Sequence, residues 1–186
     1  MPRIHPITLE DADFTTRAAF AKHVTDYAGS RITNMKATLG HSLVAFNAYM
    51  QWYPLYDEVK KIIGNRLAYL YAHAISLGSN CPLCTTFFRK IIIDNGEKPE
   101  DLILTDAEQL LLDVGSEIAV HQGAIPEDLF ARLASAYRPH EIVVLVAFAG
   151  QMVATNIFNN ALEVTIDGYL TQYLTLTKGA LSHQTA

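Results

Sequence analysis

Charge is scarce in this chain. Only 18% of its residues are Asp, Glu, Lys or Arg, against about 25% in an average globular domain. The formal net charge is −5 and no run of Lys and Arg exceeds two residues, which argues against nucleic acid as a partner. Long apolar runs are missing too. The longest, "IVVLVAFAG" (142–150), is about half of the ~20 residues that span a bilayer, so no membrane partner is expected. The opening "MPRIHPITLEDADF" lacks the basic stretch and following apolar stretch of a secretory signal. A soluble, cytoplasmic protein is the expectation. Cysteine is nearly absent: Cys81 and Cys84 are the only two. In a reducing compartment, a pair at that spacing points to redox or metal chemistry rather than a structural staple.

Half of the residues are hydrophobic, and their spacing is helical. Apolar groups recur at Phe14, Ala18, Ala21 and Val24, then at Ile63, Leu67, Leu70, Ala74 and Leu77, at or near the period of one helix face. Gly64 interrupts the second stripe and marks a candidate break. The stretch 41–53 reads as a helix stopped by Pro54. Residues 82–96 have Pro82 in the first turn and Gly96 past the end. "TDAE" (105–108) is a capping box, Gly123 closes its helix and Pro126 opens the next. Residues 140–162 are apolar nearly all round until Asn156, as in a central or interface helix. The fold expected is a single all-α domain over residues 1–186, a bundle of about seven to eight helices. The shortage of charge and the all-round apolar helix predict a homo-oligomer, and the tail 178–186 is expected to be mobile.

Pro82 places Cys81 at or beside a helix N-cap and Cys84 in the first turn, where unpaired N–H groups and the helix dipole favour a thiolate. A thiol of pKa about 8.5 is roughly 3% ionised at pH 7, and one of pKa about 7 is half ionised. The lower pKa also weakens each thiolate, so the net gain in exchange rate is about threefold to fourfold. Efficient peroxide chemistry also needs a proton relay. A closed zinc site needs four ligands, and no second C-x-x-C or closely spaced His pair supplies them. Neither metal nor cofactor is expected. Two buried, inert cysteines remain an open alternative, whereas a thioredoxin-like fold lacks its βαβ surroundings.

An apolar helix, the turn "SNCPLC" (79–84) and a second helix resemble the core of the alkylhydroperoxidase D-like family, within the carboxymuconolactone decarboxylase superfamily. "MPRI" at the start, "TNMKATLGHSLVAFNAYM" (33–50) and "EIVVLVAFAGQMVATNIFNNALEV" (141–164) extend the resemblance over most of residues 30–165. It implies an all-α fold assembling as dimers, trimers or hexamers. It also implies a peroxidase that reduces a hydroperoxide or other small molecule and is regenerated by a dithiol reductant. By resemblance, Cys84 is the peroxidatic cysteine and Cys81 the resolving one. The family's relay His, four residues after the second cysteine, is Phe88 here. Its relay Glu, about twelve before the first, is Tyr69. Weak peroxidase activity is therefore expected.

Tyr69 and His73 are four apart and share a helix face. If that face looks toward the cysteines, His73 is the candidate to accept the proton that Phe88 cannot. His121 and His140 are expected at helix ends, and His5 and His183 in tails. Asn156, Asn159 and Asn160 are expected at polar contacts between subunits. Two other functions stay open. One is a carboxymuconolactone decarboxylase-like acid–base enzyme, for which no cluster of carboxylates or histidines is evident. The other is a non-enzymatic helical oligomer whose C-x-x-C is a redox sensor or packing.

Overall fold

The computed structural model describes residues 1–174. Eight α-helices follow one another: α1 Phe14–Asp26, α2 Asn34–Leu39, α3 Leu43–Met50, α4 Trp52–Gly78, α5 Pro82–Asp94, α6 Asp106–Val120, α7 Glu127–Ala136 and α8 Pro139–Ala161. A 3-10 segment, Gly168–Tyr173, closes the described chain, and no strand occurs among the described residues. The tail 178–186 and His183 lie outside them.

The helix starts carry their signals. Asp13, Thr33 and Ser42 each accept a backbone N–H three residues on, satisfying a donor the helix cannot. Thr105 and Glu108 form the capping box in both directions. Pro54 does not stop a helix, contrary to expectation. It sits in the first turn of α4, where its missing N–H would have had no intrahelical partner anyway. Gly64 interrupts α4 with φ 78° and ψ 164°, a conformation almost confined to glycine. The β-branched run at residues 91–93 stays helical, within the last turn of α5. The short α2 gave no periodic signal because six residues are less than two turns.

α4 is the axis of the core, packed by α5, α6 and α8. Tyr71, Ile75, Leu111, Leu145 and Phe148 are fully buried between them. Each such side chain contributes about 1.5–3 kcal/mol of transfer free energy. α4 and α6 approach closely because residue 115 is glycine: a Cβ there would stand 2.7 Å from the Tyr71 ring. The Tyr71 hydroxyl crosses to α8 and donates to the Leu145 carbonyl at 3.2 Å.

α8 is long and apolar enough to cross a bilayer by length and composition, more so than its longest apolar run suggested. In this structure its Leu145, Phe148, Ala149 and Met152 join the core, while Val143 and Ile157 are 67% and 60% exposed. The N-terminal coil lies at the far end of α8, where the Arg3 amide and guanidinium donate to the backbone carbonyls of Leu162 and Ala161 respectively.

Candidate active site

The two cysteines sit where α4 hands over to α5. Asn80 takes φ 49°, a left-handed turn that Asn tolerates, and Cys81 then caps α5 with an extended backbone. Cys84 follows in the first turn. Both thiols are free, and the residues are 1% and 6% exposed. Two asparagines of α8 hold this turn. Asn160 Nδ2 donates to the carbonyls of Ser79 and Asn80 at 3.1 and 3.2 Å, and Asn159 Nδ2 donates to Cys84 Sγ at 3.2 Å.

The pair divides charge from access. Cys84 donates a hydrogen bond to Cys81 and, with the backbone N–H groups of Cys84 and Leu83, brings the Cys81 thiol down to about 7 despite its burial. The same bond, burial and repulsion from Cys81 push Cys84 up. The helix start thus favours ionisation of Cys81 over Cys84. Cys84, however, is the one that lines a cleft of about 100 Å³. That is room for several waters or one compact organic molecule.

The cleft walls are mostly apolar and aromatic. Trp52, Phe87, Phe88, Leu83 and Met152 line the cleft together with Cys84. Trp52 is fixed by its indole N–H, which donates to Met152 Sδ at 2.9 Å, and by stacking on Tyr56 at 4.4 Å. Tyr53 and Tyr169 line it too, together with two charged groups, Lys36 and Asp167.

Lys36 is 5% exposed, and burial brings its ammonium down to about 8. Its Nζ donates to Ser30 Oγ at 2.7 Å and to the Arg31 carbonyl at 2.8 Å, above the Tyr53 ring. Asp167 Oδ1 accepts the Asn34 amide at 2.9 Å. Burial raises the pKa of Asp167, and its Oδ2 has no hydrogen-bond partner among the described residues.

Tyr69 and His73 are placed elsewhere. The Tyr69 hydroxyl donates to Glu97 Oε1 at 2.8 Å, and Glu97 is held by Arg66, which also pairs with Glu108. His73 is buried, pushed down to about 4 by that burial and by Arg89. Arg89 in turn pairs with Glu100. The face shared by Tyr69 and His73 therefore meets the charged seam beyond α5, and neither residue lines the cleft or hydrogen-bonds a sulfur. Phe88 does line the cleft, one turn beyond Cys84.

The asparagines differ from expectation in the opposite sense. Asn156 and Asn159 are buried within the chain rather than reserved for another subunit, and Asn159 reaches a sulfur. The available signal was a polar triad closing an otherwise apolar helix, which a buried polar partner would explain. Lys36 and Asp167 carried no local signal, because they are separated by well over a hundred residues and meet only through the fold. Among the described residues no group of three or more His, Cys, Asp or Glu side chains is placed to hold a metal.

No family model matches the chain, and no curated protein matches its sequence. Solved structures share its fold. A crystal structure of the debrominase Bmp8, as a cysteine-to-alanine variant in complex with 2,3,4-tribromopyrrole, superposes with TM-score 0.75 at 17% identity over 91% of this chain and 94% of that one. The ligand-free form of Bmp8 gives 0.71 at 16% identity, over 91% and 95%. An uncharacterized peroxidase-related protein from Silicibacter sp. TM1040 gives 0.65 at 14%, over 87% and 90%. The fold is the all-helical alkylhydroperoxidase D-like one.

Proposed function

We propose that this chain is a thiol-dependent oxidoreductase that reduces a compact, largely apolar hydroperoxide with the Cys81–Cys84 pair. One observation carries the reading: Cys84 lines a largely aromatic cleft while hydrogen bonds ease ionisation of its neighbour, Cys81. Cys84 passes its proton to Cys81, and the Cys84 thiolate attacks the distal peroxide oxygen. The O–O bond breaks, Cys84 becomes a sulfenic acid, and the departing alkoxide takes a proton from water at the cleft mouth. Cys81 then attacks the Cys84 sulfur, its proton leaves with the hydroxide as water, and the disulfide forms. An external dithiol restores both thiols. With Cys81 as base in place of a histidine, turnover is slow, since well-matched acid–base help is typically worth about 10²–10⁴-fold.

The aromatic walls favour a second reading, reductive dehalogenation, the class of activity named for the debrominase neighbour. There Cys84 would take a halogen from carbon, and the ring would gain a proton. Cys81 would then displace halide to give the same disulfide. A homo-oligomer belongs to either reading, with the exposed Val143 and Ile157 of α8 at its interface, as does a cytoplasmic setting.

The experiment is thiol counting by intact mass after stoichiometric cumene hydroperoxide. Free thiols should fall from two to zero with loss of two hydrogens and no crosslinked dimer. The Cys81→Ser variant should stop at a sulfenic acid on Cys84 that dimedone traps, and dithiothreitol should sustain turnover of the wild type only. Two thiols left free after peroxide would remove the peroxidase reading. Bromide release from a bromopyrrole in place of peroxide consumption would install the second.

A further inference from the structure

We propose that the part of the cleft lined by Lys36 and Asp167 is a recognition site for a ring hydroxyl or an azole ring, with Lys36 as its anchor. The substrate class is then a compact aromatic molecule such as a phenol or an azole. This rests on the cleft being the substrate site of the thiol pair.

An ammonium has three N–H donors. Ser30 Oγ and the Arg31 carbonyl take two of those on Lys36. No further acceptor is within bonding distance among the described residues, and Lys36 forms no close ion pair there. Asp167, the other charged group lining the cleft, uses Oδ1 on the Asn34 amide and leaves Oδ2 without a partner. An unspent donor and an unspent acceptor thus belong to residues lining one mostly apolar cleft, where unpaired polar groups are costly. A hydroxyl answers both signs, accepting from Lys36 and donating toward Asp167; an azole does so with its unprotonated nitrogen or anion toward Lys36 and its N–H toward Asp167, and a simple hydrocarbon answers neither. The flat walls of Trp52, Tyr53 and Tyr169 suit a ring by stacking. Burial lowers the Lys36 pKa and the nearby Asp167 charge offsets this only in part, as for an ammonium that is incompletely paired.

Trp52 is the only tryptophan in the sequence and lines the cleft, so its fluorescence reports occupancy without turnover. The probes are 2,4-dibromophenol and 1,3-dibromobenzene, which share the ring and halogens and differ by the hydroxyl. They are titrated into the full-length Cys84→Ser protein. The phenol should bind at least tenfold more tightly. Lys36→Met should erase that preference while leaving dibromobenzene unchanged, and Lys36→Gln, which keeps an N–H donor, should restore part of it. Equal affinities for the two probes in the Cys84→Ser protein would overturn the proposal even if Lys36→Met failed to fold. So would a Lys36→Met protein that weakened both probes alike. Neither failure touches the thiol reading, which stands or falls on thiol counting with the wild type.

Discussion

Replacing Cys84 by Ala removes the hydrogen bond that is the first cause of the low Cys81 pKa. At about 7, Cys81 is half ionised at neutral pH. At the ordinary value of 9.0 it would be about one hundredth ionised. The backbone N–H groups of residues 83 and 84 and the Asn159 amide survive the change, so the return is partial. A rise of one unit or more is expected, and with it at least about a fivefold loss of thiolate at pH 7. Cys84→Ser is the companion variant. Its hydroxyl donates as the thiol did, and it should hold Cys81 near 7. The assay is ultraviolet thiolate absorbance against pH, which needs no reagent to reach a buried sulfur. If Cys81 titrates identically in the Ala variant and the wild type, Cys84 does not stabilise its charge. If the low pKa follows Cys84 in the Cys81→Ser protein, the thiolate has been placed on the wrong residue.

Stability should fall with acid. His23 and His73 are both held near 4 against 6.5 in the unfolded chain. The unfolded state therefore binds more protons between those values, and their contribution is full above about 6.5 and lost as pH falls toward 4. The loss is at most on the order of 3 kcal/mol per group, read from urea midpoints, and His73→Gln should flatten part of the slope. Gly64→Ala should cost about 1–3 kcal/mol and lower Tm by several degrees; an unchanged melt would mean that α4 can straighten. Size exclusion with light scattering should give a multiple of 20.6 kDa, and a monomer at micromolar concentration would contradict the reading of α8.

The helices were legible because their signals are local. Gly64 marked a real break, the Thr105–Glu108 box formed as spaced, and Pro82 set the cysteines at the start of α5. Pro54 misled because proline ends one helix and begins another equally well, and only the neighbouring turn decides which. The sulfurs' position on their helix was readable, but their division of labour was not. It depends on which thiol faces the cleft, and the cleft is walled by segments more than a hundred residues apart. The same holds for Asn159, whose amide reaches Cys84 across 75 positions.

The outer wall of the cleft comes from the end of the described chain. Asp167, Tyr169 and Leu170 belong to a strap tied down by the two bonds from Asn34 to Asp167 and Thr165 and by the Tyr173 hydroxyl on Asp94. None of these is part of the α4–α6–α8 packing or of the turn that carries the sulfurs. The strap begins, however, with Val164 and Ile166 packed against Cys81 and Cys84. One short stretch thus both backs the sulfurs and walls the cleft, so a change at Val164 should be felt by the thiols, whereas one at Tyr169 should be felt first by whatever enters.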